Sequence, residues 1–263
     1  MFNKILIVYN EKLSKKHLAS IEKVKELLAG KEYCIAKCHE LCEDDFKGID
    51  LAITIGGDGT FIRTARFIKN ELILGINSEP ELSEGALTSI NENEIPVLKE
   101  ILQGKYKTIS RERARIKRNN VLLNELALNE VYAGAANQFH TSRYIIKFKG
   151  KGEEQRSSGV LVVTGSGSNA WFKSAGGIPF RFNEKKLKFL VREPFSGDRL
   201  FKPKLLLSEI SECEKIEFEG KRYYGGVIAI DANSIYDFNA GDRIEIELSD
   251  CPLKVIVKKE NEK

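Results

Sequence analysis

The chain has 263 residues, of which 42% are hydrophobic and 30% are charged, and its formal net charge is +4. This composition is typical of a soluble globular protein with a large core, and it excludes a disordered or membrane-embedded chain. The longest apolar runs have the length of strands, so we expect no transmembrane helix. The mild positive charge suits anionic small molecules, and we expect neither a nucleic acid nor a membrane as a partner.

The first third of the sequence alternates predicted strands with helices. An apolar stripe after Ser14 predicts a helix that Ser14 caps and Gly30 stops. The βαβ order predicts an open, mostly parallel α/β sheet, Rossmann-like in class, although the turn after the first strand lacks the Gly-x-Gly-x-x-Gly pattern. The predicted strands of this sheet are Lys4–Tyr9, Tyr33–Lys37, Leu51–Ile55 and Leu72–Gly75.

From about Gly104 the pattern changes to short alternating runs separated by turns, which predicts a second, all-β, sandwich-like domain. We expect an α/β domain over 1–100 and a β-rich domain over 101–249, with the tail from about 250 to 263 packing back on the first. The predicted strands of the second domain are Ala114–Arg118, Val121–Leu128, Tyr144–Lys149, Val160–Thr164, Lys215–Glu219, Val227–Ile230 and Arg243–Leu248.

The cysteines and the amino terminus bear on the compartment. Five cysteines at low density favour a reducing environment over a disulfide scaffold. Cys34, Cys38 and Cys42 flank His39, and on a helix they would share one face. We expect a strand over 32–37 instead, and the spacing fits no standard zinc pattern, so we predict no metal site made of protein side chains. The first strand begins almost at once, without a targeting segment, so we expect a cytoplasmic protein.

Residues 51–60, Leu-Ala-Ile-Thr-Ile-Gly-Gly-Asp-Gly-Thr, are the most informative stretch for chemistry. A buried strand is followed by three glycines, Gly56, Gly57 and Gly59, and then by Thr60 as a predicted helix N-cap. Helix amino ends beyond parallel strands favour phosphate, so the stretch predicts a phosphate site that holds the carboxylate of Asp58. Gly-Asp-Gly also occurs in ordinary tight turns, and lipid kinases and phosphofructokinases share Gly-Gly-Asp-Gly.

Two later segments carry polar groups where strands end. Asn129 and Glu130 interrupt an apolar run, either as a plain strand end or as groups that grip a ribose or an adenine edge. Residues 157–177 repeat the order of strand, Gly/Ser/Thr turn and short helix, which fits either nucleotide binding or a surface loop.

A basic segment runs over residues 111–118. As a continuous strand it would place Arg111, Arg113, Arg115 and Lys117 on one face. Those side chains are candidates for binding a phosphate donor, and we favour the alternative, a solvated outer face.

Taken in order, these segments resemble the NAD kinase family. The resemblance rests on Gly-Gly-Asp-Gly-Thr (56–60), Asn129-Glu130, the turn Thr164–Ser174 and Asp231. It is strongest to the mitochondrial-type branch, on residues 75–85, 157–159, 165–168, Trp171 and 192–194. Ser158 stands where the widespread pattern has Asp, Trp171 replaces Tyr, and Ala232 follows Asp231 in place of Gly.

The resemblance implies ATP-dependent phosphorylation of the 2′-hydroxyl of the adenosine ribose of NAD. It implies that Asp58 is the catalytic base, and that Gly56, Gly57, Gly59 and Thr60 hold the phosphates with Mg²⁺ or another divalent cation carried mainly by the substrate. A homodimer or homotetramer is expected, and polyphosphate is left open as a second donor. The implied NAD-binding residues are Asn129, Glu130, Ser158, Thr164, Ser166, Ser168, Asn169, Ala170, Trp171, Ser174 and Asp231.

Two other functions share part of this pattern. A lipid kinase of the diacylglycerol or sphingosine type has the same Gly-Gly-Asp-Gly-Thr stretch, although no greasy acceptor pocket is evident here. A non-catalytic NADP(H) sensor is consistent with Ser158 in place of Asp, whereas the presence of Asp58 argues against it.

Overall fold

A computed structural model describes residues 2–11 and 14–259. The chain divides into two compact units, Met1–Ser110 with Leu253–Lys263, and Arg111–Pro252. The boundary between the units thus lies about ten residues after the one predicted from the change of sequence pattern, which was near residue 100. The end of the expected tail, 260–263, and Lys12 in the turn after the first strand lie outside the described residues.

The regular elements alternate in the first unit and are almost all strands in the second. In chain order they are β1 (Lys4–Tyr9), α1 (Lys15–Leu27), β2 (Glu32–Lys37), β3 (Leu51–Gly56), α2 (Asp58–Ala65), β4 (Leu72–Asn77), β5 (Ile90–Asn91), α3 (Leu98–Leu102), β6 (Tyr106–Arg111), β7 (Ala114–Arg118), β8 (Val121–Ala127), β9 (Glu130–Ala135), β10 (Ser142–Phe148), β11 (Lys151–Ser157), β12 (Val160–Val163), α4 (Trp171–Ser174), β13 (Lys186–Val191), β14 (Leu207–Ser211), β15 (Lys215–Gly220), β16 (Gly226–Ile230), β17 (Ser234–Asp237), β18 (Arg243–Leu248) and β19 (Leu253–Lys258). Short 3₁₀ helices cover Glu43–Phe46, Ile95–Val97 and Gly167–Asn169.

The first unit is built on a sheet in the order β2-β1-β3-β4-β19-β6, with β5 beside β4. Its central pairs are parallel, and every residue of β3 is buried, which is why that stretch reads as a continuous apolar run. Ser14 caps α1 by accepting a hydrogen bond from the His17 N–H, as predicted. The carboxyl-terminal strand β19 lies parallel to β4 in this sheet.

The second unit contains two six-stranded antiparallel sheets, β11-β10-β15-β18-β7-β8 and β14-β13-β12-β9-β16-β17. One buried apolar cluster contains residues of both sheets, such as Ile146 on β10, Ile246 on β18 and Phe189 on β13. The two sheets therefore share a core, as in a β-sandwich. The predicted class, an α/β sheet followed by an all-β sandwich-like region, is confirmed.

The basic segment differs from its prediction. β6 ends at Arg111 and β7 begins at Ala114, so the four cations do not share the face of one strand. The side chain of Arg113 is fully buried and that of Arg111 is 8% exposed, which makes a solvated outer face wrong for both. Arg113 enters the interior because its Nε donates to the carbonyl of Cys251 at 2.8 Å. Arg115 is half-buried and pairs with Glu247 and Asp250.

Candidate functional site

In the glycine turn after β3, Gly56 and Gly57 have no room for a side chain, whereas Gly59 does. Gly56 has a φ of +150°, and a Cβ there would overlap the Thr60 hydroxyl, while a Cβ at Gly57 would lie 2.5 Å from Ser83 Oγ. At Gly59 a Cβ would meet nothing within 4 Å. The chain therefore leaves open space at Gly59, and the backbone there is accessible to a ligand.

The helix after this turn starts earlier than predicted. α2 begins at Asp58 with Gly57 as its N-cap, so Thr60 is not the cap. Gly57 has the extended backbone that an N-cap needs (φ −96°, ψ −166°), and the helix closes directly on it, with the Phe61 N–H donating to its carbonyl at 3.3 Å. Thr60 is buried in the first turn. The carboxylate of Asp58 consequently lies at the positive end of the helix.

The loop between β4 and β5 fixes the orientation of Asp58. The N–H of Leu87 donates to Asp58 Oδ1 at 2.8 Å, and the N–H of Ala86 donates to Oδ2 at 3.0 Å. Asn77 holds the same loop by donating to the carbonyl of Ser83 at 2.9 Å. Each carboxylate oxygen of Asp58 keeps a second lone pair, so the group is positioned and still able to accept a proton or a hydrogen bond.

Asp58 lines a cavity of about 500 Å³ within the first unit. Its described lining includes the predicted Gly57, Gly59 and Thr60, and it adds residues that the sequence reasoning missed: Asn10, Glu11, Cys38, His39, Arg63, Leu82 and Ser83. Burial raises the pKa of the Cys38 thiol, so this cysteine is a poor nucleophile here. Leu82 and Ser83 lie in the segment 75–85 that carries the resemblance, although no role was assigned to them. Four others, Asn10, Glu11, Cys38 and His39, directly follow the predicted strands β1 and β2, and that position could have identified them.

In the second unit, Asp231 holds the turn that carries Asn129 and Glu130. Its Oδ2 accepts the N–H of Leu128 at 2.7 Å, and its Oδ1 accepts the N–H groups of Asn129 and Glu130 at 2.8 and 3.0 Å. Both oxygens of Asp231 are thus engaged by the chain itself. Asp231 therefore positions Asn129, which precedes β9, and Glu130, the first residue of β9, and both of its carboxylate oxygens already accept backbone hydrogen bonds.

Asn129 and Glu130 each contain a buried oxygen, Oδ1 of Asn129 and Oε2 of Glu130, that has no hydrogen-bond partner among residues 2–11 and 14–259. Burial first, and the charge of Asp231 second, raise the pKa of Glu130 to about 7. Burial also raises the pKa of Asp231 to about 6, against the backbone donors and the charge of Arg113, which lower it. Buried acceptors normally have partners, so this pair is ready to accept hydrogen bonds from hydroxyl groups of a ligand.

The turn after β12 separates into internal and accessible groups. Thr164 Oγ1 donates to the carbonyl of Leu128 at 2.5 Å. The single proton of the Ser168 hydroxyl is within reach of two carbonyls, those of Gly165 at 2.8 Å and Phe180 at 3.0 Å, so both hydroxyls stabilise the turn. Ser166 is half-buried and accepts from Arg111 at 3.3 Å. The accessible predicted residues are Asn169, Ala170 and Ser174, which are exposed.

Trp171, the first residue of α4, and Ser158, between β11 and β12, both contact Tyr132 of β9. The Trp171 ring stacks on Tyr132 at 5.4 Å between centroids, and the guanidinium of Arg192 lies 4.8 Å from it. The Ser158 carbonyl accepts from the Tyr132 hydroxyl at 3.1 Å, and its side chain lines a separate cavity of about 410 Å³ with Phe139 and Phe195. Trp171 is therefore held by an aromatic ring and a cation.

The described part of the chain offers no group of three or more His, Cys, Asp or Glu side chains that would hold a metal ion. Asp58 is the carboxylate in the cavity that lacks an ion pair, since Glu11 pairs with Lys37 at 2.9 Å. Such a site fits a magnesium ion that keeps waters and phosphate oxygens as its main ligands. Among the described residues no helix is long and apolar enough to cross a membrane.

Comparison with known proteins defines the class. Residues 3–106 match the family model of the ATP-NAD kinase N-terminal domain. The fold is that of an NAD kinase from Archaeoglobus fulgidus in complex with ATP, with a TM-score of 0.76, 22% identity and coverage of 98% of this chain and 94% of that one. It is also that of yeast NADH kinase complexed with NADH, with a TM-score of 0.79, 18% identity and coverage of 98% and 84%.

Sequence relatives make the assignment specific. The chain is 31% identical to an NADH kinase of Arabidopsis thaliana over 95% of this chain and 86% of the relative. It is 29% identical to a probable NADH kinase of Oryza sativa subsp. japonica over 81% and 72%. The chain belongs to the NAD kinase family. The predicted family and the predicted enzyme class, a kinase, are confirmed.

Proposed function

We propose that this NAD kinase transfers the terminal phosphoryl group of ATP to the 2′-hydroxyl of the adenosine ribose of NAD, giving NADP. The main support for NAD as the phosphoryl acceptor is the pair of buried oxygens on Asn129 and Glu130, which have no hydrogen-bond partner among the described residues. A ribose diol supplies hydroxyl donors for such acceptors. Because Asp231 clamps the backbone of both residues, the pair is preorganised before the ligand arrives.

We assign the donor phosphates to the open face of the glycine turn in the first unit. The amino-terminal N–H groups of α2 and the space at Gly59 suit phosphate oxygens. Mg²⁺, when bound to the donor, would neutralise charge on the phosphates, and Asp58 is the residue placed to contact it or its waters.

Asp58 is proposed as the base. The 2′-oxygen forms a bond to the terminal phosphorus as the bond to the leaving ADP oxygen breaks, and the hydroxyl proton passes to the Asp58 carboxylate. Phosphoryl transfer depends mainly on positioning and charge neutralisation, so a weak base held by two backbone N–H groups suffices.

The remaining predicted ligand contacts divide by exposure. Asn169, Ala170 and Ser174 are accessible and are proposed to contact the nucleotide. Ser166 and Trp171 are half-buried, Ser158 lines a cavity, and all three keep their proposed roles as contacts. Thr164, Ser168 and Asp231 are proposed to act by shaping the turns, because their polar groups bond within the chain.

The test is formation of NADP from NAD, ATP and Mg²⁺ by the purified protein, detected with an NADP-specific dehydrogenase. NADH and polyphosphate, offered in separate reactions, define the acceptor and donor range. Binding of NADP without turnover would support the sensor instead, and activity on a diacylglycerol alone would support a lipid kinase. A homodimer or homotetramer in the cytoplasm remains a prediction, which sizing by light scattering and fractionation of cells would test.

A further inference from the structure

Arg63 lies in the same cavity as Asp58 and Gly59 but belongs to none of the predicted motifs. It is in the last turn of α2, four residues after Gly59, and its side chain is half-buried in the cavity wall. Residues three or four apart lie on the same face of a helix, so Arg63 shares the face on which Gly59 leaves open space.

The contacts of Arg63 leave its charge uncompensated. Its Nη1 lies 2.9 Å from Nδ1 of His39, and since a guanidinium only donates, this nitrogen of the imidazole is the acceptor. Within residues 2–11 and 14–259, no carboxylate lies within ion-pair distance of Arg63. Two carboxylates of the described residues line the cavity, and both have other partners. Glu11 pairs with Lys37, and Asp58 accepts hydrogen bonds from the N–H groups of Ala86 and Leu87.

We propose that Arg63, oriented by His39, binds the phosphates of the phosphoryl donor in this cavity. The inference rests on the proposed kinase reaction and extends it by assigning donor recognition to a residue outside the glycine turn. A guanidinium presents several N–H groups in one plane, which matches the oxygens of a polyphosphate chain. The alternative is that Arg63 merely complements the negative end of α2, as basic residues in last turns do.

The experiment compares wild type, Arg63→Gln and Lys69→Gln in steady-state kinetics with ATP and NAD varied in turn. Lys69→Gln removes the same charge from an exposed position just beyond α2 that does not line the cavity. We expect Arg63→Gln to lower kcat/KM for ATP by about 10- to 100-fold, the effect of losing a charged hydrogen bond, while KM for NAD stays within about twofold. Lys69→Gln should match wild type.

A binding measurement separates donor recognition from turnover. Tripolyphosphate with Mg²⁺, titrated in a calorimeter without NAD, should bind wild type and Lys69→Gln alike and Arg63→Gln at least about 10-fold more weakly. His39→Ala should weaken binding in the same direction and to a smaller extent, because Arg63 remains but loses its orienting partner.

The outcomes distinguish the two levels of the proposal. If wild type forms no NADP, the proposed function fails. If wild type is active and Arg63→Gln retains both its kcat/KM for ATP and its affinity for tripolyphosphate, with only a small loss of thermal stability, Arg63 is a helix-end cation and the inference is wrong.

Discussion

Replacing Glu130 with glutamine is expected to remove much of the pH dependence of stability between pH 5 and 8. Burial and the nearby Asp231 raise the pKa of Glu130 from 4.5 to about 7 in the folded chain. A carboxyl whose folded pKa lies above its unfolded value binds the proton more tightly when folded. Its contribution to stability is therefore present below pH 4.5 and is lost as the pH rises through 7.

The size of the effect follows from the shift. A change from 4.5 to about 7 corresponds to about 3 kcal/mol over the whole titration, most of it between pH 5 and 8. Asp231, whose pKa is raised from 3.8 to about 6, changes stability with the same sign. It contributes roughly 1 kcal/mol over that interval, and this part stays in the variant.

Urea unfolding at pH 5, 6, 7 and 8 measures the difference. Wild type should lose unfolding free energy as the pH rises, and Glu130→Gln should lose about 2 to 3 kcal/mol less over the same range. Glu154→Gln, at an exposed position on β11, is the matched control and should follow wild type. Parallel curves for wild type and Glu130→Gln would refute the reasoning, because they would mean that Glu130 titrates alike in both states.

The affinity for NAD is also expected to depend on the protonation state of Glu130. A ribose hydroxyl that donates to Glu130 Oε2 favours the ionised carboxylate, so binding should release about half a proton at pH 7 and strengthen as the pH rises. Calorimetry of NAD binding in two buffers of different ionisation enthalpy counts the proton. Proton uptake would contradict the proposed contact.

Three further substitutions test the separate parts of the site. Asn129→Ala should raise KM for NAD about 10-fold with a smaller change in kcat, and an unchanged KM would remove Asn129 from the acceptor site. Gly59→Ala should raise the unfolding free energy by about 0.5 kcal/mol, because α2 gains a better helix former at a position with open space. The same substitution should raise KM for ATP at least about 10-fold, because the new methyl group occupies the space proposed for phosphate. Normal ATP kinetics would show that phosphate does not bind there. Asp231→Ala should lower the unfolding free energy by about 3 kcal/mol or more, because three N–H groups, two buried and one partly buried, lose their acceptor. Replacing the exposed Asp237 by Ala should change little in the same urea titration, and equal stability of the two variants would be inconsistent with this role of Asp231.

The sheet of the first unit was predictable because its strands are buried on both faces. Continuous apolar runs such as Leu51–Ile55 have few alternative structures, and β3 differs from the prediction by one residue. The start of α2 was not predictable in the same way. Threonine is a good N-cap by propensity, but the extended backbone of Gly57 ends β3 and caps the helix three residues earlier.

Individual side chains of the site were predicted less well than its segments. Sequence indicates that Ser168 and Asp231 are polar residues in turns, but only the tertiary contacts show that both serve the chain's own backbone. The burial of Arg113 depends on the carbonyl of Cys251, 138 residues away, which no local pattern reports. Arg63 and His39 are 24 residues apart and meet only because α2 folds back beside the end of β2.

Conversion of NAD to NADP by wild type, Asp58→Asn and Asp44→Asn tests the central claim most directly. Asp44 is an exposed carboxylate of the same unit paired with Lys47, so its replacement controls for loss of charge. NADP formation is expected in wild type and Asp44→Asn, with kcat lower by about 10²- to 10⁴-fold in Asp58→Asn and little change in NAD affinity. Near-normal kcat in a folded Asp58→Asn protein would contradict the assignment of Asp58 as the base, and absence of NADP in wild type would contradict the proposed reaction itself.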